Sequence, residues 1–576
     1  MYIPYLEGHL TLADLFRAHN EHRIFFTHVW DVLLLWLNGQ WDNQFQAAMN
    51  AVVHSATIAG LGVLLARFMG RQNWPFIWLM LALMALPPFA WENTVGGMQC
   101  QFYFLLTFSG LVIWWLGLAE PLSWRWWLGV ATAVASLFTM ASGFLAAVAA
   151  AGLAVFEILK DRRRWRRELP TLVAGLVITL AGLWNIPKVP HEHPAFPHAL
   201  QAFWVALGQN LAWPWVIHPW FALVNLFPLG ALAWLYFRSP AKQQRAEQML
   251  LMIGLWVILQ AAATAFGRSS EGILPASRYM DSFSLIMVAD GLALVLLITR
   301  YGPRPKYQPV WTAGCAVWVV FCLSGLAWLM DNTWYNSLPT WLAFRDARLQ
   351  TAIAFRATDN PQVIADVTFF ARPFPRVDEL VRLLRHPGIR QILPACVRNP
   401  LPVVRGDGAD DGAFVTNGCP PDAAAPPAER CWGSYSGGTG VGAQGKFESL
   451  PINPATLPFL EIPVAGYLGA PGLSLELLDS TGKSTPVKSA LSADGGWQNA
   501  FVKAPAGKFK VVARDESTTG WLAFGEPREL GRFSYWTICL LRAWQYFVIA
   551  GLGCLVLQNA WLFANHKRQR QLRQKA

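Results

Sequence analysis

The sequence predicts an α-helical polytopic membrane protein with about eleven transmembrane helices and an outer-face α+β domain that contains a β-sandwich or jelly roll. The chain is 54% hydrophobic and 14% charged, whereas ordinary soluble domains have about 25% charged residues. Apolar runs of bilayer-spanning length recur along it, and its Lys and Arg residues collect on alternate connections. The net charge of +11 therefore reflects membrane topology rather than nucleic-acid binding.

The predicted spans are bounded by Arg, Lys, Pro or Trp clusters, which are typical of interfacial anchors. They cover residues 44–68, 74–91, 101–119, 126–140, 143–159, 169–186, 220–237, 249–266, 279–298, 311–330 and 536–563. The fourth and fifth spans require a tight turn at residues 141–143, and the alternative is one bent helix. All the basic connections share one side only if that turn is real, and the positive-inside rule makes this side the cytoplasm.

The span positions divide the chain into six segments. These are an outer-face segment with juxtamembrane helices (1–43), a core of about ten spans (44–330), outer amphipathic helices (331–394), an outer β-sandwich domain (395–535), a final transmembrane helix (536–563) and a basic cytoplasmic tail (564–576). The β-domain is predicted because Leu473, Leu475 and Leu477 alternate with polar residues. Several such strands without intervening helices are typical of an antiparallel sandwich or jelly roll.

The N-terminal segment lies on the outer side in this scheme but contains no cleavable signal. It also holds several acidic and basic residues. We therefore expect the natural reading frame to begin further upstream, with one more transmembrane helix that enters from the cytoplasm. A hydrophobic segment encoded in frame upstream is the observation that tests this expectation.

Gly440, Gly442 and Gly445 spell the GxGxxG pattern of dinucleotide sites. The surrounding segment GSYSGGTGVGAQG is a Gly- and Ser-rich loop with no helical pattern after it. A dinucleotide site is therefore rejected, and the chain also has no Walker A sequence, which argues against an ATP-driven machine.

A Pro-rich loop with the sequence PHEHPAFPH contains zinc-ligand residue types. They are His191, Glu192, His193 and His198. No helix fixes their spacing, so a solvated or substrate-lining loop is favoured over a metal site.

Three cysteines, Cys396, Cys419 and Cys431, lie in the predicted outer region, which is oxidising if the topology is right. Cys419 and Cys431 can close a Pro-rich loop between them, which leaves one cysteine over. The other five lie in or beside predicted spans and are typical of small core residues: Cys100, Cys315, Cys322, Cys539 and Cys554.

The segment AHNEHRIFF places Asn20, Glu21, His22 and Arg23 together outside the membrane. Charges concentrated at a membrane surface commonly mark function. Glu21 can act as a general base, and Arg23 can hold a phosphate through two parallel hydrogen bonds. The alternative is an interfacial ion pair or a helix cap.

Two further outer-face clusters begin or end predicted spans and can converge on the same place. Their candidate residues are Glu92, Asn93, Gln99 and Gln101 in WENTVGGMQCQF, and Arg268, Glu271, Arg278, Tyr279 and Asp281 in GRSSEGILPASRYMD. Arg278 and Asp281 are three residues apart, so they can pair with each other, or Arg278 can face a lipid phosphate.

With AHNEHRIFF in the first outer segment, WEN followed by QCQF, and SRYMD later, the chain resembles bacterial membrane glycosyltransferases of the GT-C class over residues 10–330. The resemblance implies transfer of a sugar from a polyprenyl-phosphate donor to an envelope glycan, lipid or protein. It places the reaction on the periplasmic face of the bacterial inner membrane, with the lipid bilayer as a partner and no nucleic acid. The class usually has its key acidic residue just after its first helix, which this chain begins too late to show, so Glu7 or an upstream residue is an alternative base. The final span, which returns the C-terminus to the cytoplasm, is a second departure.

In this interpretation a carboxylate deprotonates the acceptor and an arginine stabilises the leaving phosphate, and one direct displacement inverts the anomeric configuration. The catalytic candidates are Glu21 and Glu92. The substrate-binding candidates are Asn20, His22, Arg23, Gln99, Gln101, Arg268, Arg278, Tyr279 and Asp281. No metal ligand is assigned, and a divalent metal cofactor is left open.

The alternative function is non-enzymatic: transport or assembly of an envelope glycan or lipid, with a carbohydrate-binding outer domain. A transporter should carry polar residues near mid-depth in several spans. Here they are few, such as His54 and Asp290, whereas the ionisable clusters lie at the outer face. This distribution favours a reaction at the membrane surface over transport across the membrane. A third interpretation is an inactive relative that only scaffolds other envelope enzymes.

Overall fold

The computed structural model describes residues 1–188, 200–239, 244–268, 274–300, 308–410, 412, 414–420, 423, 430–436, 440–441, 443–488, 495–554, 556–557 and 560. Helices dominate the chain up to about residue 392. They are α1 (Tyr2–Leu6), α2 (Leu12–Leu15), α3 (Phe25–Asn38), α4 (Asn43–Met69), α5 (Trp74–Ala85), α6 (Trp91–Val95), α7 (Cys100–Val112), α8 (Trp124–Ser136), α9 (Leu145–Lys160), α10 (Trp165–Asn185), α11 (Leu200–Leu211), α12 (Ala222–Arg238), α13 (Arg245–Arg268), α14 (Met280–Phe283), α15 (Leu285–Arg300), α16 (Gln308–Asn332), α17 (Leu338–Thr358), α18 (Gln362–Ala365), α19 (Val377–Arg385), α20 (Pro387–Ile392) and, after the strands, α21 (Arg532–Arg542).

The strands all lie in the C-terminal part of the chain. They are β1 (Val415–Thr416), β2 (Cys431–Gly433), β3 (Gly445–Glu448), β4 (Phe459–Gly466), β5 (Leu473–Asp479), β6 (Ser484–Pro486), β7 (Gln498–Lys503), β8 (Phe509–Asp515), β9 (Leu522–Gly525) and β10 (Arg528–Leu530). One sheet has the order β1-β2-β9-β4-β10 with β7 also on β4, and the other has the order β3-β8-β5-β6. All of their pairings are antiparallel.

The chain forms two compact units. The helical unit comprises Met1–Leu34, Gln46–Thr351 and Val367–Pro375. The β-rich unit comprises Leu35–Phe45, Ala352–Asp366 and Arg376–Ala576.

Eight stretches among the described residues are long and apolar enough to cross a membrane, and a bent helix pair near the C-terminus makes a ninth if it is one span. The prediction of eleven spans is therefore wrong in number. The difference lies in the fourth and fifth predicted spans, where α8 has 13 residues and α9 has 16. Both are shorter than the roughly 20 residues that a spanning helix needs.

The predicted turn between α8 and α9 is confirmed, and it explains why both helices are short. The Ser136 hydroxyl donates to the Gly143 carbonyl at 2.9 Å, and the Thr139 hydroxyl donates to the Ser136 carbonyl at 2.7 Å. A Cβ added to Gly143 would lie 1.9 Å from the Ser136 carbonyl oxygen. These side-chain bonds compete with the helix ladder and close the turn around a glycine.

The last long helical stretch before the strands differs from its predicted extent. An apolar helical segment of 48 residues covers Trp311–Thr358, with a π-helical turn at Thr333–Ser337. The prediction ended this span at residue 330 because the hydropathy falls there. The backbone nevertheless stays helical, since no Pro or Gly breaks it before α17 begins.

Small residues allow close packing in the helical unit. Gly175 of α10 faces Ala147 and Ala151 of α9, and a Cβ added to Gly175 would lie 2.6 Å from the Cβ of Ala151. Glycine and alanine at such positions let helix backbones approach, which is the common solution where lipid removes the hydrophobic drive for association.

The alternation of apolar and polar residues, from which the strands were predicted, is confirmed in the β-rich unit. Leu473, Leu475 and Leu477 on β5 are buried, while the residues between them are only partly so. Leu475 pairs with Ala513 of β8. Side chains from both sheets form one hydrophobic core, as in a β-sandwich. The jelly-roll connectivity stays a prediction.

Residues from the early segment Leu35–Phe45 complete the β-rich unit. Asn38 Nδ2 donates to Ser534 Oγ at 2.8 Å, and Asn38 Oδ1 accepts from the backbone N–H groups of Phe533 and Ser534 at 3.0 and 3.1 Å. Gln40 Nε2 donates to the Leu393 carbonyl at 2.9 Å, and Gln40 Oε1 accepts from Gly531 N–H at 2.9 Å. Asn38 therefore caps the first turn of α21, whose preceding residue is a glycine with no capping side chain.

Candidate functional site

Glu21 lies at the tip of a short turn between α2 and α3. The backbones of His19 and His22 exchange two hydrogen bonds of 2.8 and 3.0 Å across this turn. Asn20 occupies the left-handed region with φ 51, which Asn tolerates better than most residues, and it is exposed. The turn presents the Glu21 carboxylate to the guanidinium of Arg268 at the end of α13, with which it forms an ion pair. Glu21 Oε2 has no hydrogen-bond partner within the described part of the chain.

His22 stands next to this ion pair as a neutral imidazole. Its Nδ1 accepts from the Ala141 N–H at 3.1 Å, so the neutral ring carries its proton on Nε2, 3.5 Å from Glu21 Oε1. Burial, together with smaller effects of the neighbouring His19 and Arg278, lowers the pKa of His22 to about 4. The imidazole is therefore uncharged at neutral pH.

Arg23 holds backbone groups. Its Nη1 donates to the Phe16 carbonyl at 3.0 Å, and its Nε donates to the Asn185 carbonyl at 3.3 Å. Arg23 thereby fastens the segment before α3 to the C-terminal end of α10. This placement matches the structural alternative for Arg23 more closely than a phosphate contact.

Glu92 forms the second carboxylate–guanidinium pair. Its Oε1 accepts from Arg278 Nη1 at 3.1 Å, and its Oε2 accepts from Ser277 Oγ at 2.9 Å and from the Arg278 N–H at 3.0 Å. The Glu92 N–H in turn donates to Ser277 Oγ at 3.1 Å. Arg278 therefore pairs with Glu92, and three donors occupy the Glu92 carboxylate.

Asp281 belongs to a neighbouring buried group. Asn93 Nδ2 donates to Asp281 Oδ2 at 2.8 Å, and His54 Nε2 lies 3.9 Å from Asp281 Oδ1. The His54 ring stacks on Tyr103 with ring centres 4.4 Å apart. Neither His54 Nε2 nor Asn93 Oδ1 has a hydrogen-bond partner among the described residues, although both atoms are buried. Two buried polar atoms with unused hydrogen-bonding capacity side by side suit a hydroxyl group or water between them.

The remaining predicted residues surround these groups less directly. Tyr279 packs edge-on against Phe102 at 5.6 Å, and the Arg278 guanidinium lies 5.3 Å from the Tyr279 ring centre. Gln101 Nε2 donates to Gln99 Oε1 at 2.9 Å. The two glutamines thus bond to each other.

The Glu21 and Glu92 pairs lie in the same part of the helical unit. Arg278, which holds Glu92, is close enough to lower the pKa of His22, which stands beside Glu21. The Arg268–Glu21 pair joins residues that are 247 positions apart in the sequence, and the Arg278–Glu92 pair joins residues that are 186 positions apart. The three sequence clusters therefore do converge within the helical unit, with two arginines and two glutamates among their central groups.

Sequence analysis missed a polar stripe on α4. Gln46, Asn50, His54 and Thr57 follow one another at helical spacing on one face of this apolar helix. Gln46 Nε2 donates to Asp31 Oδ1 at 3.3 Å, Asn50 Nδ2 donates to the Gly97 carbonyl, and Thr57 shares a 2.6 Å hydroxyl contact with Thr107. The spacing of these four residues was the signal that could have found the stripe.

An apolar cavity of about 400 Å³ lies beside the polar groups. Its lining includes Val53 and Thr57 of α4, Phe104 of α7 and Leu285 of α15. These residues lie within one helical turn of His54, Tyr103 and Asp281 on the same stretches of chain. The cavity and the buried His54, Tyr103 and Asp281 group therefore share the same stretches of chain.

The described residues include no group of three or more His, Cys, Asp or Glu side chains arranged to hold a metal ion. The residues of PHEHPAFPH named above, Glu271 and Gly442 of the glycine pattern lie outside the described residues. No protein-family model matches the chain, and no curated protein is detectably similar to it in sequence.

Proposed function

We propose that the chain is a membrane glycosyltransferase that moves a sugar from a polyprenyl-phosphate donor to an envelope glycan, lipid or protein on the periplasmic face of the inner membrane. The observation that carries the proposal is the set of arginine–carboxylate pairs and buried polar atoms in the helical unit, together with an apolar cavity whose lining shares stretches of chain with His54, Tyr103 and Asp281. A ligand that fits such a region has an apolar tail and an anionic, hydroxyl-rich head.

The cavity suits part of an isoprenoid tail. It is lined almost entirely by apolar side chains, including Leu61, Leu64, Trp114 and Ile253, and its volume lies in the range of small-molecule pockets. Eight helical stretches long and apolar enough for a bilayer would give a lipid direct access to such a site.

Arg268 and Arg278 provide the positive charge for a phosphate. Guanidinium groups bind phosphate oxygens through paired hydrogen bonds, and they stabilise the charge that develops on a leaving phosphate. Both side chains are partly exposed, at 25% and 27%, so a ligand can reach them.

Glu21 is the better candidate for the base. One of its carboxylate oxygens has no partner in the described part of the chain, whereas the Glu92 carboxylate is occupied by three donors. Glu92 then serves to position Arg278. The Asn93, His54 and Asp281 group has unused hydrogen-bonding capacity for sugar hydroxyls.

The reaction has one chemical step in this proposal. Glu21 takes the proton of the acceptor hydroxyl while that oxygen forms a bond to the anomeric carbon. The bond between the anomeric carbon and the phosphate oxygen breaks, and the polyprenyl phosphate leaves with the electron pair. A single displacement of this kind inverts the anomeric configuration.

The test measures polyprenyl-phosphate-linked sugar in membranes of cells that lack the protein. The strain is complemented with the full-length gene for wild type, Glu21→Gln or Arg278→Ala, and insertion is checked for each. We expect the lipid-linked sugar to accumulate without the protein, wild type to clear it, and Glu21→Gln to lower turnover by about 10²–10⁴-fold, as loss of a general base does.

The matched control is Arg167→Ala, which breaks an arginine–glutamate pair with Glu120 that is more exposed and lies in another part of the helical unit. This variant should clear the lipid normally. Unchanged lipid pools together with mislocalised surface glycan would instead favour transport or assembly, and the catalytic assignment would be dropped.

A further inference from the structure

We propose that Cys419 and Cys431 form a disulfide bond in the β-rich unit. Both thiols contact the same residue, Asn417. Cys431 Sγ donates to Asn417 Oδ1 at 3.3 Å, and Cys419 Sγ donates to the Asn417 carbonyl at 3.7 Å. Two sulfur atoms that converge on one residue are positioned for a bond without movement of distant backbone.

The backbone fixes this approach. Asn417 adopts the left-handed conformation with φ 58, its N–H donates to the Cys431 carbonyl at 2.9 Å, and the Cys419 N–H donates to the Asn417 carbonyl at 2.8 Å. A Cβ added to Gly433 would lie 1.8 Å from the Gly418 carbonyl oxygen. Glycine at positions 418 and 433 therefore lets the two chain segments approach closely, and this approach brings Cys419 and Cys431 near each other.

The bond would fasten the intervening loop to an aromatic cluster. The Ala423 carbonyl accepts from Trp497 Nε1 at 3.0 Å. Cys419 and Ala423 also pack with Tyr435 and Trp521 in a small apolar cluster, separate from the sandwich core. The proposed disulfide at Cys419 would limit the movement of Ala423 away from the Trp497 indole.

Formation of the bond requires an oxidant that is itself a disulfide, on a protein or a small molecule. The two thiols lose two protons and two electrons, their sulfurs join, and the oxidant's sulfur–sulfur bond breaks to give two thiols. Burial raises the pKa of Cys431 to about 11, so the reactive thiolate is scarce once the domain has folded. We therefore expect the bond to form before this edge of the sheet closes.

Peptide mapping tests the proposal because trypsin separates the two cysteines. Cleavage after Arg405, Arg430 and Lys446 places Cys419 in peptide 406–430 and Cys431 in peptide 431–446. The full chain is taken from its own membranes, alkylated during lysis at low pH and digested without reductant. We expect one linked species, lighter than the sum of the two peptides by two hydrogen atoms, which reduction splits into both peptides.

Cys396 is the internal control, since its peptide 391–398 should be alkylated and unlinked. In Cys419→Ser the 431–446 peptide should become alkylated as a single species. Recovery of both peptides separately alkylated from the unreduced wild-type chain, or a link from either to Cys396, would overturn the proposal. The outcome does not depend on glycosyltransferase activity.

Discussion

Both arginines proposed to bind the phosphate are already engaged by a carboxylate before a ligand arrives. Arg268 pairs with Glu21, and Arg278 pairs with Glu92. A phosphate that binds either guanidinium must share it with its glutamate or replace that glutamate. We expect replacement at Arg268, because it would release the Glu21 carboxylate at the moment when the substrate is present.

The neutral state of His22 predicts a pH-dependent loss of stability. Its folded pKa of about 4 lies below the ordinary value of 6.5, so the unfolded chain binds the proton more readily between these values. The stability that the folded state owes to a neutral His22 is therefore fully present above pH 6.5. It is lost as the pH falls towards 4, which lowers the free energy of unfolding by up to about 3 kcal/mol. His22→Asn keeps an acceptor for the Ala141 N–H but does not titrate.

The measurement is the free energy of unfolding in detergent at pH 7 and pH 4.5. We expect wild type to lose more stability than His22→Asn over this interval, while the exposed His9→Asn behaves like wild type. Equal losses in wild type and His22→Asn would show that His22 is not buried in a neutral form.

At the residue level, the sequence predicts which residues belong to the candidate site better than it predicts which residues pair with one another. Charge concentrated at span ends indicated Glu21, Glu92, Arg268 and Arg278 because charge is costly elsewhere in an apolar chain. Their pairing depends on tertiary packing across long separations. Arg23 was predicted to hold a phosphate, whereas it donates to the Phe16 and Asn185 carbonyls, and the sequence does not show which backbone carbonyls lie within its reach.

Helix α4 combines the two properties of the proposed site on one element. It carries the polar stripe of Gln46, Asn50 and His54, and further along it lines the apolar cavity. A helix with polar residues at this spacing inside an apolar sequence usually faces other protein rather than lipid. Hydropathy alone identified the helix as a span, but averaging over a window hides a stripe of single residues.

Filling the cavity should block the proposed lipid. Gly60 lines it, and a Cβ at this position meets no atom within 4 Å, so Gly60→Leu adds a side chain without a clash. We expect at least about tenfold weaker binding of a polyprenyl phosphate, the factor that corresponds to about 1.4 kcal/mol. Native mass spectrometry of the full chain in micelles measures this binding.

Gly230→Leu is the matched control on α12. Its added Cβ also meets nothing within 4 Å, and Gly230 does not line the cavity. Both variants gain helix propensity of up to about 0.8 kcal/mol, so a change in helix stability affects them equally. Equal binding by the two variants would exclude this cavity as the lipid site.

Helix existence was predicted better than helix extent. The long apolar helices were placed because their runs exceed what a soluble helix needs. The predicted lengths of α8 and α9 are within about two residues of the observed ones, but the turn made by Ser136, Thr139 and Gly143 keeps both helices shorter than a full span, so counting them as spans was wrong. Such local competition leaves little trace in hydropathy.

For the whole molecule, the order of the chain does not match the order of its compact units. The segment Leu35–Phe45 belongs with the strands that follow some four hundred residues later. The sequence analysis divided the chain at residue 43 into an outer segment and a helical core. It could not show that Leu35–Phe45 belongs to the β-rich unit, because no sequence pattern links Asn38 or Gln40 to its partners. Most of the hydrogen bonds of Asn38 and Gln40 that define the association go to backbone groups.

Removing the Asn38 side chain should destabilise the β-rich unit. Asn38→Leu deletes the cap on α21 and leaves the Phe533 and Ser534 N–H groups without their acceptor, which costs about 2–4 kcal/mol by the usual values for caps and unsatisfied buried groups. Asn38→Asp keeps the acceptor and should cost less. Hydrogen exchange of the two amides is the measurement, and protection unchanged in Asn38→Leu would contradict the prediction.

The Asn38 contact also imposes an order on biosynthesis. Asn38 and Ser534 are separated by 496 residues, so at roughly 5–20 residues per second Asn38 leaves the ribosome about 25–100 s before its partner. During that interval the segment must remain unpaired while the intervening helices are made. A chain released before residue 531 therefore leaves Asn38 Oδ1 and Gln40 Oε1 without the N–H donors that they bind in the folded protein.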